Sequence, residues 1–150
     1  MKAVLIDDEP NGRIALRQKL QDYCPTVEVL GEAENGKLGI TLIESLQPEL
    51  VFLDIEMPVM DGFEMLIRIP EKKFHLVFTT AYDHYAIKAI KYAAFDYLLK
   101  PIDIDELKST IDRLTPMPSS NVTRSMCRLR FPRASRRCNG PHGPRYRGCC

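Results

Sequence analysis

The sequence predicts a doubly wound α/β sandwich built on a central five-stranded parallel sheet. Three observations point there. Short apolar runs bounded by turn residues recur between residues 3 and 99, and four of them are continuously apolar, as strands covered on both faces require. Between and after the runs lie segments whose apolar residues repeat at helical spacing. Runs and segments alternate, giving five βα units.

Taken in order, the first strand is AVLI at 3–6, followed by a helix carrying Leu16, Leu20 and Tyr23 at i, i+4 and i+7. The second, VEVLGEA at 27–33, alternates at Val27, Val29 and Gly31 as an edge strand would. It leads into a helix with Leu38, Leu42 and Leu46 at i, i+4 and i+8. LVFL at 50–53 precedes Phe63, Leu66 and Ile67, and LVF at 76–78 precedes Ile87, Ile90 and Ala94. YLL at 97–99 precedes Leu107, Ile111 and Leu114, with Asp103 and Glu106 spaced as a helix cap.

Composition bounds the rest. With 45% hydrophobic and 27% charged residues, the chain reads as a globular protein. Its 150 residues suffice for one ordinary domain and not comfortably for two. No run of about 18 apolar residues exists, so no membrane span is expected. The N-terminus MKAVLIDDEP is unlike a secretory signal, so a cytoplasmic location is the default expectation. The net charge of +1 hides an asymmetry: all 20 acids and 13 of the 21 cationic residues precede residue 116, leaving that part seven charges negative. The remainder carries eight arginines and four of the five cysteines. A body at 1–115 and a tail at 116–150 are therefore read separately.

In doubly wound folds the working site lies beyond the carboxyl ends of the strands, near a switch in strand order. There the sequence offers Asp7, Asp8 and Glu9, then Asp54, then Thr79 and Thr80, then Lys100 and Pro101. Clustered carboxylates repel unless a cation holds them, and all-oxygen ligation suits Mg²⁺. A lysine and a hydroxyl facing such an ion suit the equatorial oxygens of a phosphoryl group. An aspartate can itself be the nucleophile and form an aspartyl phosphate. Singly, each residue has a plainer reading: Asp8 as the N-cap of the first helix, Lys100 as a solvated strand end, Thr80 as a turn residue. Four strand ends supplying complementary chemistry favour metal-assisted phosphoryl transfer to a carboxylate.

The segments VLIDDEP, LVFLDIEMPVMDG, FTTAY and DYLLKP, in this order and spacing across residues 2–114, resemble the receiver domains of two-component response regulators. The resemblance implies the flavodoxin-like receiver sandwich. It implies Asp54 as phosphoacceptor, Asp8 as a direct Mg²⁺ ligand, Asp7 as one acting mainly through water, and Glu56 as a ligand through its backbone carbonyl. Thr80 and Lys100 would contact the phosphoryl group, Thr79 being the wrong threonine because the family's precedes the alanine. Lys100–Pro101 resembles the family's cis bond, and Tyr97 the aromatic whose ring follows phosphorylation. Glu56 and Tyr82 resemble the positions that tune phosphate lifetime. Asp61–Gly62, with Pro58, reads as the turn into the third helix.

The resemblance further implies a sensor histidine kinase as phosphodonor and a conformational switch. The family often dimerises through the face of the fourth helix, fifth strand and fifth helix, and a homodimer is expected there. LDIEMPVMDGFEML, FTTAYDHYAIKAI and AAFDYLLKPID also resemble receivers joined to LytTR-type (LytR/AlgR) DNA-binding domains. Such an output domain needs roughly a hundred more residues, so a fragment or shortened gene product is expected. No organic cofactor and no turnover enzyme are implied.

His75 and His84 read as surface residues, Cys24 as a partly buried thiol, and Glu28, Glu32 and Glu34 as solvated charges. The tail, rich in Pro, Gly, Ser and Arg, has no sustained period and argues against a second core. We read it as non-native sequence, such as a cloning tail or shifted frame, ahead of an arginine-rich arm on nucleic-acid phosphates. A metal module of Cys127, Cys138, His142 and Cys149 or Cys150 has spacings like no standard zinc site. The NVT sequon at 121–123 would be unused in the cytoplasm. Competing functions are an Asp-nucleophile phosphohydrolase, with Glu56 as general acid, and a flavodoxin-like carrier. The acidic IDDEPNG loop disfavours the carrier.

Overall fold

The computed structural model describes residues 1–115. Five strands, β1 (Lys2–Ile6), β2 (Glu28–Ala33), β3 (Leu50–Leu53), β4 (His75–Thr80) and β5 (Asp96–Leu99), alternate with five helices. These are α1 (Pro10–Tyr23), α2 (Gly36–Leu46), α3 (Gly62–Arg68), α4 (Ala86–Lys91) and α5 (Ile104–Leu114). The strands form one parallel sheet in the order β2-β1-β3-β4-β5. The expected sandwich is thus present, and β2 is an edge strand as its alternation suggested.

The strand order reverses between β1 and β3, which lie side by side although α1, β2 and α2 intervene in sequence. Register pairs Ile6 with Leu53. The next residues, Asp7 and Asp54, therefore leave the sheet at the same level. Apolar side chains pack on both faces. Val4, Ile6, Val51, Leu53 and Phe78 face α2, α3 and α4, while Leu5, Phe52, Val77 and Leu98 face α1 and α5.

Local chemistry sets the helix starts. Asp61 caps α3 by accepting from the Glu64 N–H at 2.7 Å, and Asp103 caps α5 by accepting from the Asp105 and Glu106 N–H groups. The Asp103 cap agrees with the sequence reading, which places Asp61 only in the turn into the third helix. Asp8 does not cap α1: the N-cap is Glu9, without a side-chain bond, and Pro10 occupies the first turn.

Helix α1 buries Leu16 and Leu20, and α5 buries Leu107, Ile111 and Leu114, as their spacing predicts, but other stripes differ from expectation in azimuth. Helix α2 buries Gly36, Gly39 and Ile43, leaving Leu38 half exposed at 50%. A Cβ on Gly39 would stand 2.9 Å from both Ile6 Cδ1 and Met65 Sδ, so α2 rests on the sheet through a glycine face and its leucines move to the rim. In α4 the buried residue is Ala89, whereas Ile87 and Ile90 are exposed. Tyr23 and Ile67 are likewise exposed. Thr79 and Thr80 are the last two residues of β4, not a turn beyond it, and both are buried.

Candidate functional site

The site forms where β1, β3, β4 and β5 end. Asp54 directly follows β3 and is only 6% exposed. Its backbone N–H continues the ladder to the Ile6 carbonyl at 2.8 Å, which fixes where the carboxylate starts. One carboxylate oxygen, Oδ1, accepts from the Ile55 N–H at 2.6 Å. The other, Oδ2, meets Lys100 Nζ at 2.6 Å.

Lys100 enters from the end of β5, its N–H donating to the Thr80 carbonyl at 2.8 Å and its peptide bond to Pro101 cis. Its ammonium also lies 2.8 Å from Asp7 Oδ2 and 3.5 Å from Glu9 Oε2. One ammonium thus bridges the carboxylates beyond β1 and β3. Burial works against the Lys100 charge, but the hydrogen bonds to Asp54 and Asp7 outweigh it and hold its pKa above the ordinary range. Burial likewise raises Asp54; Lys100 and the Ile55 N–H pull it down, Asp7 pushes it up, and the net direction is upward.

Asp7, Asp8 and Asp54 can bring one carboxylate oxygen each within 4.8 Å of one another. Asp7 is anchored by accepting from the Glu9 N–H at 2.9 Å and by Arg13 donating to its carbonyl. Three hard oxygens and no sulfur or imidazole fit Mg²⁺ rather than a softer ion. Thr80, fully buried at the end of β4, turns its hydroxyl oxygen toward the Tyr82 N–H at 3.4 Å.

A sequence model described as "Response regulator receiver domain" matches residues 3–112. The chain belongs to this family. The receiver is 46% identical over 115 residues to the transcriptional regulatory protein BtsR of Escherichia coli, covering 76% of this chain and 48% of that protein. It is 46% identical over 123 residues to an uncharacterised response regulatory protein of Vibrio parahaemolyticus, covering 81% and 50%. The chain therefore spans about half the length of the curated relatives it matches. Among solved structures, the response regulatory domain of mrkE from Klebsiella pneumoniae superposes with a TM-score of 0.70 at 26% identity, covering 76% of this chain and 94% of that one. The receiver of AraT from Geobacillus stearothermophilus gives 0.67 at 32%, covering 75% and 91%. The domain is a signalling module of two-component systems.

Of the other residues singled out in the receiver, Tyr97 is half-buried, stands 6.3 Å from the Phe78 ring and donates its hydroxyl to the Tyr82 carbonyl. Glu56 is exposed, and its carboxylate accepts from the Tyr85 hydroxyl at 3.0 Å. The same carboxylate pushes the Tyr85 and Tyr82 phenols above their ordinary range. His75 and His84 are exposed and Cys24 is a buried free thiol. Glu32 departs from expectation: it pairs with Arg13 at 3.2 Å and Arg17 at 2.7 Å. No helix among the described residues is long and apolar enough to cross a membrane. The readings placed on the tail arginines, Cys127, Cys138, His142, Cys149 and Cys150 fall outside the described residues.

Sequence reasoning assigned no role to Tyr85 or Glu9, and read Gly62 only as part of a turn. Tyr85 reaches across 29 residues to Glu56, and nothing local announces that contact. Gly62 has no room for a side chain, since a Cβ there would stand 2.5 Å from the Asp54 carbonyl oxygen. Glu9 adjoins the acid pair in sequence, which was the available signal.

Proposed function

We propose that Asp54 accepts a phosphoryl group from the phosphohistidine of a sensor histidine kinase and that the domain switches conformation as a result. The observation that carries this is the buried Asp54 carboxylate, bonded to Lys100 Nζ at 2.6 Å and clustered with Asp7 and Asp8 at the strand ends. The Asp54 oxygen attacks phosphorus, the P–N bond breaks, and the electron pair leaves with the donor histidine. Asp7, Asp8, Asp54 and the backbone carbonyl of Glu56 would hold Mg²⁺, which supplies positive charge against the transferred group. Lys100 gives up its contact with the free carboxylate and follows the phosphoryl oxygens. The Thr80 hydroxyl donates to the same group, drawing on the loop beyond it, and Tyr97, already hydrogen-bonded to that loop, moves with it. Stronger contacts in the phosphorylated state than in the free one shift the population.

Residues 1–115 form the receiver in this reading, working in the cytoplasm where the kinase presents its histidine. The phosphorylated form dimerises through α4, β5 and α5, and transcriptional output runs through a LytTR-type DNA-binding domain in the full-length protein. The longer curated relatives, one of them a transcriptional regulator by name, support a separate output region. The tail at 116–150 is taken as non-native, without a role in DNA binding.

The test is intact-protein mass spectrometry after incubation with acetyl phosphate, with and without Mg²⁺, for the wild type and Asp54→Asn. A single adduct of about 80 Da, dependent on Mg²⁺ and absent from Asp54→Asn, is the expected outcome. An adduct that survives in the variant would mean another acid is the acceptor.

A further inference from the structure

The loop between β4 and α4, residues 81–85, is tied down on two sides. On one side Tyr97 donates to the Tyr82 carbonyl. On the other the Tyr85 hydroxyl crosses to Glu56 Oε1 at 3.0 Å, and Glu56 sits two residues beyond Asp54 in the loop leading to α3. A cleft of about 480 Å³ opens here, lined by Asp8, Glu56, Asp61, Phe63, Tyr85 and Lys88. Its wall therefore includes both partners of the hydrogen bond and one of the clustered carboxylates. The cleft thus places the Tyr85–Glu56 pair beside Asp8, whose carboxylate comes within 4.8 Å of that of Asp54.

Glu56 is exposed, so its carboxylate has no need of a protein partner to be solvated, and the bond's consequence is positional. The Tyr85 ring is held separately, 5.8 Å from Phe63 and 4.2 Å from His84 between centroids. Removing the hydroxyl alone would leave that packing in place while releasing the Tyr85–Glu56 bond.

We propose that Tyr85, through its hydroxyl bond to Glu56, is a positioning residue that straps the β4–α4 loop to the β3–α3 loop and restricts water's approach to phosphorylated Asp54. The step it slows is hydrolysis. A water oxygen attacks phosphorus, the bond from phosphorus to the Asp54 oxygen breaks, and inorganic phosphate and the free carboxylate result. This inference rests on the reading of Asp54 as acceptor, and it assigns Tyr85 a part in setting the lifetime of the modified state.

The experiment uses the full 150-residue chain and two readouts. In the unmodified protein, amide hydrogen exchange of residues 81–85 is compared for wild type, Tyr85→Phe, Glu56→Ala and Glu56→Gln. After treatment with acetyl phosphate and Mg²⁺, decay of the phosphorylated form is followed by mass spectrometry. Tyr85→Phe and Glu56→Ala should each speed exchange and shorten the lifetime by about fivefold, the factor that one net hydrogen bond represents. The double variant should match either single one, because both remove the same bond, and Gln, which keeps an acceptor oxygen, should restore most of the lifetime. Unchanged exchange in Tyr85→Phe, or effects of the two substitutions that simply multiply, would overturn the strap. A wild type that takes up no phosphoryl group would sink the acceptor reading instead, and the exchange result would still decide the strap.

Discussion

Asp54 carries two opposed requirements. As the proposed phosphoryl acceptor, its carboxylate must be desolvated enough to be held in one place, and ionised enough to act as a nucleophile. Burial wins in the free protein, for its pKa stays raised even with Lys100 at 2.6 Å. A carboxylate whose pKa is higher folded than unfolded binds its proton more readily in the fold. Its contribution to stability is thus present at low pH and is lost as pH rises through the raised value. Ionised Asp54 therefore works against folding at neutral pH. Asp54→Asn, which keeps an oxygen for Lys100, should raise Tm at pH 7, and the gain should shrink as melts are repeated toward pH 4. A variant that melts below the wild type at pH 7 would show that the Lys100 bond outweighs the burial after all. Such a gain in stability on loss of the proposed acceptor is the usual relation between a functional group and its fold.

At the scale of elements, the site depends on short connections that leave no slack. The turn from β3 to α3 brings the Gly62 N–H to the Ile55 carbonyl at 2.8 Å, and the Asp61 side chain closes it by capping α3. The Asp54 carbonyl lies against Gly62 so closely that a methyl group would meet backbone rather than a movable side chain. Gly62→Ala should accordingly destabilise the domain by about 2–3 kcal/mol, read as a lower urea midpoint at unchanged slope. A loss under about 0.5 kcal/mol, the range of ordinary surface substitutions, would mean the turn can relax. The cap at Asp103 and the turn at Asp61–Gly62 were legible in sequence because each acts within three or four residues. The buried face of α2 was not. Three leucines at helical spacing mark a face, but Gly39 lets the adjoining face come closer, and contact distance decided the azimuth.

At the scale of the molecule, sheet order does the assembling. With β1 and β3 adjacent, acids far apart in sequence end at one level, and β5 delivers Lys100 from beyond β4. The same architecture leaves α4 thinly covered: Ile87 is 75% and Ile90 76% exposed, with Leu99 of β5 also exposed. If the proposed dimer uses this face, Ile87→Asn combined with Ile90→Asn should shift stability by no more than about 1 kcal/mol, as two exposed substitutions do. It should also abolish phosphorylation-dependent dimers in sedimentation experiments. Dimers that persist in the variant would place the interface elsewhere.

By itself the sequence determined the alternation of five strands and five helices, the edge position of β2, and the set of polar residues leaving the strand ends. These arise from periodicity and from residue chemistry, which act locally. The tertiary structure alone decided that Lys100 spans Asp7 and Asp54, that Tyr85 reaches Glu56, that Glu32 binds two arginines rather than water alone, and that α4 turns its isoleucines outward. Each of these joins segments far apart in the chain or chooses between two faces of one helix. Neither is encoded in spacing, because both depend on which surfaces the closed sheet brings within bonding distance.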